Sequence, residues 1–179
     1  MLVPTLYQFF RRHIQQGFKE HGLAAEPATV EYVSDILTRF ARTPNLYAVH
    51  DADGAPLEHL GQFLIEYRRA QGLEEAPADR SRQVLLTRHL GEYALFMSGL
   101  FREHLQARGQ LGYYLDHGRS AFGQSADFEA NPKRAQVFRR LYLNFEPISG
   151  TLNYIRRAQF PMKSPVLALE SPLVALWRM

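Results

Sequence analysis

The sequence predicts an all-α fold, a single compact bundle of six to seven helices around a long central helix. Apolar residues recur at the helical period through most of the chain. In addition, the nine residues from Tyr93 to Phe101 include no charged side chain and are apolar on nearly every side. A helix of that kind is enclosed by other helices rather than exposed at a surface.

The first two helices have clear start and stop signals. Thr5 and Gln8 have the spacing of a capping box, and Gly22 is a typical C-terminal stop. A second helix is expected from about Ala28 to Arg42, ending before Pro44. The predicted buried stripes are Leu6, Phe10, Ile14, Gly17, Phe18 and His21, then Val30, Val33, Leu37, Phe40 and Ala41.

The helical period then disappears, which predicts a short irregular or hairpin-like excursion near residues 46–56. Asp51, Asp53 and Gly54 within it indicate a plain turn, because the later oxygen ligands and the glycine position of a calcium loop do not match. A third helix follows over about residues 57–71. Its expected inward side chains are Leu57, Leu60, Phe63, Leu64 and Tyr67.

The fourth helix is the predicted central one, capped by Asp79 and ending at Gly109. Small side chains on one face, where a neighbouring helix can come close, are those of Gly91, Ala94 and Ser98. A fifth helix, over about residues 111–126, is expected to present Leu111, Leu115, Gly118, Ala121 and Phe122.

A sixth helix is capped by Asn131, with Pro132 at its tolerated first position. Its apolar stripe continues as far as Ile155, and Pro147 is expected to kink it or to divide it in two. We therefore assign residues 1–160 to the bundle domain.

Composition excludes several classes of site. The chain has 179 residues, a net charge of +3 and no cysteine, so disulfides, thiolate nucleophiles and cysteine-zinc sites are absent. Residues 127–179 carry eight basic and four acidic groups, and this excess includes Lys133, Arg134, Arg139 and Arg140. We interpret these four as a solvated face beside an acidic neighbour or partner, since nucleic-acid binding usually needs denser basic clusters with exposed aromatics. No nucleic-acid partner is therefore expected.

The sequence shows no signal peptide and no run of apolar residues long enough to span a membrane. We therefore expect a cytoplasmic protein.

Residues 161–179 form an apolar C-terminal tail interrupted by prolines. A side chain of this kind contributes about 1.5–3 kcal/mol when it is buried, so the tail is expected to dock on its own bundle or on a partner. Docking in trans would form a symmetric homodimer, docking in cis is the alternative, and membrane contact is less favoured. The candidate partner-binding residues are Val166, Leu169, Leu173, Leu176 and Trp177. Leu167 and Val174 add to the apolar character of the same segment.

Two stretches carry a resemblance to known proteins. They run from His89 to Phe101 and from Tyr113 to Phe122. Together they resemble a family of uncharacterised bacterial helical proteins with no assigned activity. The resemblance extends loosely from Pro4 to about Arg157 and does not cover the tail well. It implies a bacterial cytoplasmic setting, and it transfers no catalytic residue.

Polar residues on the central helix and the helix after it form the candidate ligand-binding cluster. Such groups in a core need partners, and we expect Arg119 to neutralise Asp116 or Glu92. The cluster comprises His89, Glu92, Tyr93, Asp116, His117 and Arg119. A buried polar network is favoured, and surface placement or a metal or haem site are the alternatives. The Glu-x-x-His motifs of di-iron bundles are absent.

Nucleophile elbows and phosphate-binding glycine loops are absent as well. The sequence therefore favours a non-catalytic binding or regulatory module that acts through a protein partner or a small ligand, with no cofactor or metal. The alternative is a metal- or haem-dependent enzyme that uses His89, Glu92 and nearby Asp116 or His117.

Overall fold

The computed structural model describes residues 5–42, 49–72 and 77–159, and these residues form the predicted all-α bundle. Part of the excursion and the whole of the tail lie outside the described residues. Within them are eight helices: α1 (Leu6–Glu20), α2 (Pro27–Phe40), α3 (Leu60–Ala70), α4 (Arg80–Leu100), α5 (Arg102–Ala107), α6 (Leu111–Phe128), α7 (Pro132–Leu143) and α8 (Phe145–Gln159).

The helix starts that depend on local side chains are confirmed. The Gln8 backbone N–H donates to Thr5 Oγ1 at 3.2 Å, and the Thr5 N–H donates to Gln8 Oε1 at 2.9 Å, which completes the capping box. The Asn131 side chain likewise accepts from the backbone N–H groups at the start of α7, directly before Pro132. These caps satisfy backbone donors that have no partner within the helix.

Helix α4 is the core of the bundle, as predicted, and it packs against α2, α3, α6 and α8. Glycines set how closely its neighbours approach. A Cβ added to Gly118 of α6 would lie 2.6 Å from the Cβ of Ala94, and one added to Gly99 would lie 2.8 Å from the Cβ of Leu152 in α8. Real Cβ atoms essentially never come this close to a non-bonded atom. Both contacts therefore require glycine.

Two predicted helix boundaries were wrong, and the predicted division of the sixth helix into two is confirmed. The central helix ends at Leu100 instead of continuing to Gly109, because the buried Phe101 adopts a non-helical backbone (φ −118°, ψ 32°) before the short α5 begins. The predicted sixth helix divides at Asn144, so Pro147 lies in the first turn of α8, where a proline is tolerated. Helix α3 begins at Leu60 rather than residue 57.

The predicted buried stripe of α2 is confirmed at all five positions, whereas the stripe of α1 is shorter than expected. Leu6 and His21, at the two ends of the predicted stripe, are exposed. The four predicted residues between them, Phe10, Ile14, Gly17 and Phe18, are buried. The turn is confirmed within the described part of the excursion, since the Asp51 carboxylate accepts from the N–H groups of Asp53 and Ala55.

Candidate functional site

The Glu92 carboxylate lies inside the bundle, where α2 covers α4, and only 4% of the residue is exposed. Tyr32 donates its phenolic hydrogen to Glu92 Oε1. Arg39 Nη2 lies 3.1 Å from Glu92 Oε2. Both carboxylate oxygens are therefore held by α2 side chains, which supplies the partners that a buried polar group needs.

The pKa values of Tyr32 and Arg39, the two partners of Glu92, are both shifted upward. Burial, and secondly the negative charge of Glu92, raise the pKa of Tyr32 well above its ordinary value of 10.0. Burial by itself lowers the pKa of Arg39, but the carboxylates of Glu92 and Asp35 outweigh it and the net shift is upward. Tyr32 thus stays a hydrogen-bond donor and Arg39 stays a cation.

His89 and Tyr93, the other predicted residues of α4, are also buried. The His89 ring stacks on Phe63 with 5.4 Å between ring centroids and meets the edge of Phe40 at the same distance. The Tyr93 hydroxyl donates to the Glu58 carbonyl at 2.7 Å. Through these contacts α4 is joined to α3 and to the segment that precedes it.

The three predicted residues of α6 lie elsewhere. Because Gly118 faces α4, Asp116 and Arg119 are directed to solvent, and His117 is half-buried against the Tyr113 ring at 4.4 Å. Arg119 places its guanidinium over the Tyr142 ring, 4.9 Å from the centroid.

The structure therefore does not join the six predicted residues into one cluster. Arg39, rather than Arg119, pairs with Glu92, so of the two carboxylates predicted for Arg119, Asp116 or Glu92, the pairing with Glu92 was wrong. The physical reason is that α2 covers this face of α4, whereas Arg119 lies on the outer side of α6. Sequence spacing placed Glu92 on α4 but held no signal for which helix would cover it.

A second buried carboxylate, Glu66 of α3, was not predicted. Arg69 Nη1 lies 2.7 Å from its Oε1, and Arg82 Nη2 lies 3.2 Å from its Oε2. Arg82 also donates to the carbonyl of His50, so it joins α3, α4 and the turn before α3. No sequence signal identified Glu66, since it lies outside the apolar stripe expected for its helix.

A groove between α6 and α7, with a volume of about 340 Å³, is a candidate binding site. Positions 120, 124 and 127 recur along one face of α6, as expected for a helical period. A Cβ on Gly123 would lie 3.1 Å from the Tyr142 ring, so glycine lets this ring rest against α6. The lining residues of this α6–α7 groove are Ser120, Gly123, Gln124, Ala126, Asp127, Arg139 and Tyr142.

The charged side chains of the α6–α7 groove are only loosely engaged. Arg139 Nη2 lies 3.8 Å from Asp127 Oδ1, and the two side chains are 62% and 73% exposed. Arg119 contributes a second guanidinium, through its position over Tyr142. This contrasts with Glu92 and Glu66, whose oxygens are all occupied in the interior.

Three of the four predicted basic residues of α7 have an acidic side chain beside them. Arg134 lies 3.4 Å from Glu129, and Arg140 lies 3.6 Å from Glu26. Arg139 has Asp127 beside it, as described above. This arrangement fits the interpretation of a solvated face with acidic neighbours.

Two features of the described residues concern metal binding and membrane insertion. Across residues 5–42, 49–72 and 77–159, no three His, Asp or Glu side chains lie together as a metal ion would require. In the same ranges no helix is both long and apolar enough to cross a membrane. The tail residues Val166, Leu169, Leu173, Leu176 and Trp177 lie outside the described part of the chain.

Comparisons with family models, with curated proteins and with solved structures each gave no significant match. The resemblance to a bacterial helical family therefore stays a prediction.

Proposed function

We propose that this protein is a non-catalytic helical binding module and that its α6–α7 groove takes a small ligand. The observation that carries the proposal is the groove itself, which combines a volume of about 340 Å³ with loosely engaged polar side chains. Ligand sites are typically concave, hold a few placed polar groups, and have volumes of about 300–1,000 Å³. The groove falls at the small end of that range.

The buried polar groups support a structural role for the centre of the bundle. Both oxygens of Glu92 contact side chains of α2, those of Tyr32 and Arg39, so this carboxylate joins two helices of the bundle. Asp116, which would have to act with Glu92 in the alternative enzyme, is directed to solvent. The contacts thus favour binding at the surface over chemistry in the core.

We further propose a bacterial cytoplasmic setting and self-association through the tail. The setting is supported by the resemblance of residues 89–101 and 113–122 to a bacterial family. The apolar composition of residues 166–177 supports docking of the tail on a second copy, which would give a homodimer.

The groove can be tested with small fragments on the full-length chain. Ligand-observed NMR with a mixture of aromatic acids, amines and alcohols would identify binders in the millimolar range. Ser120→Trp fills the groove from an exposed position of α6 and should abolish binding. Gln15→Trp is the matched control, because it adds the same side chain to an exposed position of α1, which packs on α2 and α8.

Binding that is lost in Ser120→Trp and kept in Gln15→Trp would support the proposal. Binding that persists in Ser120→Trp, or no binding by any fragment, would overturn it.

A further inference from the structure

We propose that the ligand of the α6–α7 groove bears a carboxylate or phosphate group, which Arg139 binds with the help of Arg119. This inference rests on the proposed function and adds the chemical class of the ligand. It follows from the charges and hydrogen-bonding groups at the groove.

The first step is the balance of charge. Among the lining residues Asp127 and Arg139 carry opposite charges, and Arg119, which is not itself a lining residue, places a second guanidinium over the Tyr142 ring. Neutral donors are present too, since within the described residues the Ser120 and Gln124 side chains have no protein partner. An anion in the groove would therefore meet the guanidinium of Arg139 and several hydrogen-bond donors, with the guanidinium of Arg119 nearby over Tyr142.

The second step is the availability of Arg139. Its ion pair with Asp127 spans 3.8 Å between two largely exposed side chains, and such pairs contribute about 0–1 kcal/mol. Arg139 can consequently turn to a ligand at little cost. Its planar guanidinium matches the two oxygens of a carboxylate or phosphate, which makes a bidentate contact possible.

The third step is the position of Arg119. A guanidinium that stacks on an aromatic ring is held in place by its face, while the N–H groups at its edge stay free to donate. Tyr142, the ring beneath it, lies one helical turn from Arg139 on α7. Tyr142 thus holds the guanidinium of Arg119 within about one helical turn of Arg139.

Substitutions of Asp127 and of Arg139 should change the affinity for an anion in opposite directions. Its carboxylate competes for Arg139 and repels an anionic ligand, so Asp127→Asn should tighten the binding of anions by about twofold. Arg139→Gln should weaken the same binding by about tenfold, the value expected for losing a charge-assisted hydrogen bond. A merely structural role for the pair would predict the same direction for both variants.

The test is an NMR titration of the isotope-labelled full-length protein at constant ionic strength. The probes are phenyl phosphate, benzoate, benzyl alcohol and benzylamine, with inorganic phosphate to separate a free anion from an organic one. Arg12→Gln, on α1, is the control for the change of net charge, because it removes one exposed arginine from a helix that packs on α2 and α8.

The expected result is that phenyl phosphate or benzoate binds more tightly than the alcohol and the amine, and responds to Arg139→Gln and Asp127→Asn in opposite directions. Groove binding by all four aromatic probes with no dependence on Arg139 would overturn this inference and leave the proposed function standing. No binding by any probe would overturn both.

Discussion

Replacing Gly118 by alanine tests the central packing contact of the fold. The added Cβ would lie 2.6 Å from the Cβ of Ala94 and 2.9 Å from Cε2 of Phe145. Carbon atoms pack at about 3.5–4.0 Å, so α4 and α6 would have to separate by about 1 Å. Ala94 cannot relieve the clash by rotation, because its Cβ is fixed to the backbone, and the Phe145 ring is itself buried.

Two opposing contributions set the size of the effect. Overpacking of a core costs about 1–3 kcal/mol, and the value here should be near the upper end because two rigid neighbours are involved. Alanine in place of glycine favours a helix interior by about 1 kcal/mol. We expect a net loss of about 2 kcal/mol in the free energy of unfolding, measured by urea denaturation followed by circular dichroism.

Gly112→Ala is the matched control on the same helix, since nothing lies within 4 Å of its added Cβ. It should leave the free energy of unfolding unchanged or raise it slightly. Ala94→Gly should cost less in the Gly118→Ala background than in the wild type, because it removes one of the two clashes. A Gly118→Ala protein as stable as the wild type would refute the close contact of α4 and α6.

Three further predictions concern Glu92, its partners and the tail. Because the pKa of Tyr32 is raised in the folded state, its contribution to stability is complete below its ordinary value of 10.0 and lost as the pH rises further. Tyr32→Phe should therefore show a shallower decline of unfolding free energy between pH 10 and 11, and an identical decline would contradict the shift. Arg39→Met should cost about 1–3 kcal/mol by leaving one Glu92 oxygen unpaired, and Glu92→Gln should cost less in that background than alone, as a double-mutant cycle would measure. Deleting residues 161–179 should convert a dimer to a monomer in light scattering, whereas a full-length protein that is already monomeric at micromolar concentration ends the dimer proposal.

Features that depend on neighbouring residues in the sequence could be predicted. The capping box of Thr5 and Gln8, and the cap of Asn131 before Pro132, act within one turn of helix, so the residues that form them are adjacent in the chain. The central position of α4 was also predictable, because a run without charges from Tyr93 to Phe101 has to be covered on every side.

Features that depend on which helices pack together could not be predicted. Phe101 interrupts a helical pattern that contains no proline, two residues after the buried Gly99, and its conformation accompanies burial among other helices. Glu92 is a polar residue in a core sequence, yet only the position of α2 reveals that Arg39 reaches it. The α6–α7 groove was missed for the same reason, since its lining comes from two helices and Arg139 was assigned to a basic face.

Helix α4 contains both features that its own sequence predicts and features that depend on the neighbouring helices. The C-terminal half of α4, from Tyr93 onward, is apolar on nearly every side and has no hydrophobic stripe to fix its rotation, so burial alone leaves several orientations nearly equal in energy. The residues that break this equivalence are polar or small: Glu92 has to face the arginine of α2, while Ala94 and Gly99 face the helices that approach most closely. We infer that these residues specify the orientation of α4. Because that orientation turns the inner face of α6 toward Ala94, it also leaves the opposite face of α6 free to line the groove.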